Sequence, residues 1–159
     1  LIADVVPTKG RDAHAVKRLS ERIDELGYRR LTLKSDDEPS TVALKAAVKL
    51  EGKAEILFEE SPVGDSQSNG LAEGAVKMIG GLVRTNTDAL EGRHKVKLPR
   101  NSVAFPFLVR YAAASYNRFA VCTDGKMAHM RLKGKRFLKE MVEWGECVRS
   151  LVGAVREEQ

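Results

Sequence analysis

Apolar residues at the start of the chain recur at spacings that indicate a strand followed by a helix. The apolar run Leu1–Val6 predicts a buried strand, which a proline and a glycine shortly downstream would end. From Asp12 to Leu26 the apolar residues are three or four positions apart, as on one face of a helix. Asp12 is a suitable N-cap for this predicted helix, and Gly27 is a suitable C-terminal stop.

The alternation of strands and helices continues to residue 59. Arg30–Lys34 predicts a second strand, Pro39 fits the first turn of a second helix that Gly52 would end, and Ala54–Glu59 predicts a third strand. Strands that alternate with helices indicate an α/β layer fold with at least part of a parallel sheet. Three strands make an incomplete sheet, so we expect further strands upstream of Leu1.

The second half of the chain is predicted to be mainly helical. Residues 60–70 form a polar, glycine-containing loop, and a long helix is predicted from Leu71 to a point between Leu90 and Gly92. The adjacent glycines at 80 and 81 are expected to weaken this helix. Val103–Phe119 predicts a further apolar helix, and residues 121–159 are less regular.

The charge of the chain is compatible with a polyanionic partner without requiring one. The 159 residues suit one compact domain, and 27 Lys and Arg against 22 Asp and Glu give a formal net charge of +5. Cys122 and Cys147 are far apart and fit no zinc motif, so both are predicted to be reduced. No apolar run approaches the ~20 residues that span a bilayer, so no membrane partner is expected.

Acidic residues occupy positions where an α/β sheet gathers its functional groups. Asp36 and Asp37 follow the strand Arg30–Lys34, and Glu73 lies in the first turn of the long predicted helix. Function in open α/β sheets collects beyond the carboxyl ends of the strands, where carboxylates can hold two divalent metals across a phosphodiester. In the alternative interpretation, Asp36 is a turn residue and Glu73 is an acid that favours a helix N-terminus.

Three sequence blocks are similar, in the same order, to blocks in the catalytic cores of retrotransposon and retroviral integrases. They are LKSDDEPSTVALKAAV (33–48), SPVGDSQSNGLAEGAVK (61–77) and DGKMAHMRLKGKRF (124–137). VVPTKG (5–10), NRF (117–119) and EWGECV (143–148) extend the resemblance. It implies a ribonuclease H-like mixed sheet flanked by helices, with its first strands missing here. It also implies a partial catalytic core over residues 1–120 and a C-terminal extension, 121–159, that leads into the start of a small β segment.

The resemblance further implies an Asp, Asp, Glu triad that binds Mg²⁺ or Mn²⁺. The local motif matches Asp36 to the second acid of the triad, and Glu73 matches the third. The spacing typical of the family instead favours Asp37, because 35 residues separate Asp37 from Glu73 and 36 separate Asp36 from Glu73. The first acid has no counterpart here, since neither Asp4 nor Asp12 matches it.

DNA contacts are expected from the polar loop and from the helix that follows it. The candidate nucleic-acid-binding residues are Gln67, Asn69, Lys77 and Arg84. Lys77 lies one helical turn after Glu73, so the alternative is an exposed Glu–Lys pair. Two basic runs, 93–100 and 131–139, would neutralise DNA phosphates or form a solvated surface.

These features together predict DNA integration or recombination by polynucleotidyl transfer, with an incomplete catalytic core in this chain. The missing first acid, and Gly74 where the family typically has arginine, favour a non-catalytic nucleic-acid-binding module with the same fold. A third possibility is an unrelated basic α/β scaffold, which would not bring Asp36 and Glu73 together. The resemblance implies DNA as partner, formation of a homo-oligomer, no small-molecule cofactor and, in a eukaryotic host, action in the nucleus.

Overall fold

A computed structural model of the protein describes residues 1–60 and 70–147, in which five helices and two strands are found. In chain order the elements are α1 (Ala13–Leu26), β1 (Arg30–Ser35), α2 (Pro39–Glu51), β2 (Glu55–Glu60), α3 (Gly70–His94), α4 (Phe105–Phe119) and α5 (Ala128–Lys133). The mixed α/β class expected from the sequence is therefore confirmed. Within this part of the chain, the sheet is limited to one pair of strands.

Helix α1 begins and ends at the residues that the sequence predicted. The side chain of Asp12 accepts a hydrogen bond from the Ala15 amide at 3.0 Å. Gly27 adopts the left-handed conformation with φ 74°, and its amide donates to the Asp24 carbonyl. Both ends therefore satisfy backbone groups that have no partner inside the helix. The helix buries Val16, and Ile23 on the same face.

The two strands form the parallel pair that alternating strands and helices predict. Arg30 lies opposite Glu55 and Ser35 opposite Glu60, and α2 makes the crossover that a parallel pair requires. α1 packs against α2 on the same layer. The buried apolar core of this layer consists of Val16, Ile23, Ala47, Val48, Ala54 and Ile56, and Leu19, Leu31, Leu33 and Leu44 pack against it.

The strand predicted at Leu1–Val6 is wrong for this structure. The segment joins no β-ladder in the described chain, and Ile2 is 52% exposed. It is attached instead through polar side chains, since Asn117 donates to the Leu1 carbonyl and Asp4 is ion-paired with α4. An apolar run indicates burial, but a strand also needs a backbone edge to pair with, and this segment pairs with neither β1 nor β2.

The second half of the described chain is helical, as predicted. α3 runs without interruption through the glycine pair at 80 and 81 and packs against α4. Leu90 is the buried residue of α3, whereas Leu71 in its first turn is 92% exposed. Of the β segment expected after residue 120, the described part contains only an isolated antiparallel bridge between Val121 and Met127. None of the described helices combines the length and the apolar character needed to cross a membrane.

Candidate nucleic-acid and metal site

Asp36 and Asp37 lie at the carboxyl end of β1, where the sequence predicted them. β1 extends to Ser35, one residue further than expected, and the Ser35 hydroxyl donates to the Asp36 carbonyl at 2.8 Å. Both aspartates are exposed. Just before this edge of the sheet, Lys34 forms a 3.0 Å ion pair with Glu59 of the neighbouring strand. Asp36 and Asp37 therefore follow a strand end that an ion pair joins to the neighbouring strand.

Glu73 and Lys77 both point to solvent near the start of α3. Glu73 is an acidic residue in the first turn, where a negative charge is favoured by the helix dipole. Lys77 and Arg84 are exposed further along the same helix. Among the described residues no ion pair involves Glu73 or Lys77, so the Glu–Lys pair that was the alternative interpretation is not formed. Both side chains are exposed.

The two acids are connected through a segment outside the described residues. β2 ends at Glu60, at the same edge of the sheet as Asp36, and α3 begins at Gly70. Gln67 and Asn69, the predicted loop contacts, lie in the interval 61–69 and so outside the described part of the chain. Both strand ends meet at one edge because the pair is parallel.

The carboxylates of Asp36 and Glu73 are of the type that binds divalent metals, but two of them are too few to form a metal centre. Mg²⁺ prefers carboxylate oxygens, and Asp36 and Glu73 supply them on exposed side chains. Within residues 1–60 and 70–147, however, no group of three or more His, Cys, Asp or Glu side chains is placed to hold a metal ion. A complete metal centre would need at least one ligand from elsewhere, so no reaction step through a metal follows from these residues.

Two of the four Lys and Arg residues in the basic run 93–100 form ion pairs within the chain. Arg93 is ion-paired with Glu143 and also donates to the Trp144 carbonyl at 2.8 Å. Lys97 forms a 2.6 Å ion pair with Glu91, and the hydrogen bond from Lys97 lowers the pKa of the Glu91 carboxyl. These pairs hold the end of α3 to the segments that follow it. They reduce the charge that this run offers to a polyanion.

The second basic run, 131–139, keeps more of its charge accessible. Arg131 is paired with Asp124 at 2.6 Å, and this hydrogen bond lowers the pKa of the Asp124 carboxyl. The remaining basic residues of the run form no ion pair within the described chain and are exposed; they are Lys133, Lys135, Arg136 and Lys139. Four unpaired positive charges within seven residues are a suitable surface for phosphates.

The carboxylate of Asp4, for which the sequence predicted no role, contacts both α1 and α4. The Asp4 carboxylate lies 2.6 Å from Arg110 Nε in α4 and 3.6 Å from an Arg18 nitrogen in α1. Only 13% of the Asp4 side chain is exposed. An acid inside the apolar run LIADVV was the available signal, because a carboxylate in apolar surroundings is rarely left without a cationic partner.

Comparisons of the chain with protein-family models, with curated proteins and with solved structures found no significant match.

Proposed function

We propose that this chain is part of an integrase-type protein of DNA integration or recombination, in which its own residues bind DNA. The observation that carries the proposal is the position of two exposed acids. Asp36 lies at the carboxyl edge of a parallel strand pair, and Glu73 lies in the first turn of the helix that follows the second strand. The order of the three sequence blocks around these acids supports the same function.

In this proposal Asp36 and Glu73 are two of the three carboxylates that bind Mg²⁺ or Mn²⁺. When bound, a metal pair of this kind supplies an activated water or 3′-hydroxyl and stabilises the leaving oxygen of the phosphodiester. The third carboxylate would come from outside the described residues. The described residues therefore support metal-dependent polynucleotidyl transfer only as a property of a larger assembly, for which the resemblance implies multimers.

The DNA-binding part of the proposal rests on residues of this chain. Lys77 and Arg84 are exposed on α3 on the C-terminal side of Glu73, and the accessible part of the basic run 131–139 adds further positive charge. Lysine and arginine contacts to phosphates position a duplex without reading its sequence. We therefore expect binding that falls steeply with salt and depends little on base sequence.

A non-catalytic nucleic-acid-binding module is the second candidate function. Two observations favour it. Within the described residues no three metal-binding side chains form a cluster, and glycine follows Glu73 at position 74. The two candidates share DNA binding and differ only in chemistry. They can therefore be separated by one assay for binding and one for strand cleavage.

The binding assay measures fluorescence anisotropy of a labelled duplex with the wild-type chain and two double variants. We expect Lys77→Ala/Arg84→Ala to weaken binding about tenfold, because it removes two phosphate contacts. The matched control, Arg11→Ala/Lys17→Ala, removes two exposed charges on the N-terminal side and should change the affinity less than twofold. Equal losses in both double variants, or no saturable binding by the wild type, would overturn the proposal.

The cleavage assay then selects between the two candidates. The wild-type chain is incubated with supercoiled plasmid and Mn²⁺, and nicked product is measured. Nicking that disappears in both Asp36→Asn and Glu73→Gln would assign chemistry to the chain. DNA binding without nicking would identify the chain by itself as a binding module.

A further inference from the structure

An exposed aromatic ring lies beside the basic run 131–139. Phe119, the last residue of α4, is 47% exposed, and its ring centroid is 5.7 Å from that of Phe137, which belongs to the run. Asn117, which donates to the Leu1 carbonyl, is roughly 200° away around the helix, so Phe119 lies on another side of α4 from the N-terminal segment. A single exposed apolar side chain is common on protein surfaces and by itself indicates no partner. An exposed ring together with accessible cations is more specific, because few ligands match both.

The Phe119 ring is held by its neighbour without being covered by it. Its plane makes an angle of 84° with that of Phe137, and in such an edge-to-face contact one ring covers at most one face of the other. Phe137 is itself fixed, since the Arg118 guanidinium lies 4.7 Å from its centroid and the His129 ring lies 5.3 Å away. A flat group that stacks on Phe119 therefore meets a ring whose position is already set, which lowers the entropic cost of binding.

The basic residues beside the ring lie in an exposed segment that follows α5. Gly134 caps α5 with a φ of 70° and donates its amide to the Met130 carbonyl, and residues 135–139 belong to no helix or strand. No acidic residue falls within 131–139. The exposed cations that form no ion pair within the described chain are Lys133, Lys135, Arg136 and Lys139. This segment therefore offers phosphate contacts next to the aromatic pair.

The two basic surfaces of the protein differ in whether they contain a ring. α3, which presents Lys77 and Arg84, contains no aromatic residue, so it can contact phosphates but offers no ring to a base. In a duplex the faces of the bases are covered by their neighbours, whereas a single strand has open base faces that can stack on aromatic side chains. An exposed ring among cations is the arrangement typical of proteins that bind single-stranded nucleic acid.

We propose that Phe119 and the cations of residues 133–139 bind single-stranded DNA. A base stacks on the open face of Phe119, and Lys135 and Arg136, which directly precede Phe137, contact neighbouring phosphates. The inference rests on the proposed function for the identity of the polyanion as DNA, and it adds an unpaired strand to the substrate. Because every base has a face that can stack, binding of this strand should depend little on its sequence.

The first test separates stacking from charge with three variants of the full chain. Fluorescence anisotropy measures the affinity for a labelled oligothymidylate and for a labelled duplex of equal length. We expect Phe119→Leu, which keeps apolar bulk but removes the flat ring, to weaken oligothymidylate binding about tenfold and to leave duplex binding within about twofold. Phe119→Trp keeps a stacking surface and should stay within about twofold of the wild type for both DNA forms. Phe107→Leu makes the same change at a ring that is 62% exposed and lies roughly 18 Å away along α4, and it should change neither affinity.

Two results of this test would overturn the proposal. One is oligothymidylate binding that is unchanged in Phe119→Leu, or that falls equally in Phe119→Trp. The other is an equal loss of both DNA forms in Phe119→Leu, which would assign Phe119 to the fold and not to stacking.

The second test asks whether the cations beside Phe137 contact the strand. Lys135→Gln/Arg136→Gln should lower the slope of log affinity against log salt for oligothymidylate by about 1.4 units, since each phosphate contact on a single strand contributes about 0.7. Arg11→Gln/Lys17→Gln removes the same charge at exposed positions in the N-terminal half and should leave the slope unchanged. Equal slopes in the two double variants would show that net charge alone governs binding, against the proposal.

Failure of this inference and failure of the proposed function give different results. Oligothymidylate binding that does not depend on Phe119, with duplex binding that depends on Lys77 and Arg84, overturns the inference and upholds the function. Oligothymidylate binding that depends on Phe119, without any duplex binding, overturns the proposed function and upholds this surface.

Discussion

The carboxylate of Asp4 accepts a hydrogen bond from Arg110 Nε at 2.6 Å, across 106 positions of sequence. Asp4 lies before the first helix and Arg110 lies in the middle of α4, so this contact joins the β1–β2 layer to the helical half. Arg18 of α1 approaches the same carboxylate at 3.6 Å. The Asp4 carboxylate thus contacts arginines from two different parts of the fold, and Arg18 is paired in addition with Glu21 at 3.0 Å.

Replacing Asp4 should destabilise the protein. Asp4→Asn leaves the partly buried Arg110 without a carboxylate among the described residues and Arg18 with Glu21 alone, so we expect the free energy of unfolding to fall by about 1–3 kcal/mol. Urea unfolding followed by circular dichroism measures this change. Asp88→Asn, at an exposed position of α3, is the control and should stay within ~0.5 kcal/mol of wild type. An unchanged midpoint for Asp4→Asn would show that the contact adds nothing to stability.

Gly145 packs closely against the Leu90 side chain near the end of α3, so a larger residue here requires that side chain to move. A Cβ at this position would overlap Leu90 Cδ1, and the φ of +84° is strained for other residues. We therefore expect Gly145→Ala to lower the free energy of unfolding by about 1–3 kcal/mol. Gly92→Ala, in a helical position with open space, should raise it by roughly 0.5–1 kcal/mol. Thermal melts of both variants give the comparison, and a neutral Gly145→Ala would refute the close packing.

The pair Asp124–Arg131 should make a small part of the stability depend on acid pH. The hydrogen bond from Arg131 holds the pKa of Asp124 below its ordinary value of 3.8. Because the pKa is lowered on folding, the stabilisation is complete above 3.8 and is lost as the pH falls through the folded-state pKa. In an NMR titration of the Asp124 carboxyl, Arg131→Gln should move this pKa back towards its ordinary value, whereas Arg136→Gln should not.

Salt dependence should identify which cations contact DNA. Each phosphate contact contributes about one unit to the slope of log affinity against log salt. We expect Lys77→Ala and Arg84→Ala to reduce this slope by roughly one unit each, and Lys97→Ala to reduce it less because Lys97 is held by Glu91. Anisotropy titrations at several salt concentrations measure the slope. A slope that stays constant in Lys77→Ala would remove that residue from the interface.

Mn²⁺ binding should decide between the two neighbouring aspartates. If the local motif is the correct guide, Asp36→Asn weakens Mn²⁺ binding at least about tenfold, because one of few carboxylate ligands is lost. Asp37→Asn then has little effect. Electron paramagnetic resonance of free Mn²⁺ measures both variants against the wild-type chain. The reverse order would favour the family spacing, and no binding in the wild type would leave the metal proposal without support in this chain.

The local elements were largely predictable from sequence. Asp12 and Gly27 bound α1 as expected, because caps act on backbone groups within a few residues. β1, α2 and β2 lie within one residue of their predicted positions, since apolar spacing and flanking turn residues are local signals. The positions of Asp36 at a strand end and of Glu73 in a first helical turn follow from the same signals.

Contacts between distant segments could not be predicted in this way. The apolar run Leu1–Val6 has the composition of a strand, but whether it pairs depends on which backbone edge lies beside it. The partners of Arg93 and Arg110 are likewise 50 and 106 positions away, so the basic residues alone did not show which of them are paired.

Helices α1 to α4, the parallel strand pair and the positions of the candidate acids were thus predictable from sequence, whereas α5 was not; the former depend on spacing, caps and turns within short stretches of chain. The packing of distant segments, in contrast, brings Asp4 to Arg110 and Arg93 to Glu143. Those features depend on which surfaces meet, and a surface contact is set by packing over the whole chain rather than by any local pattern.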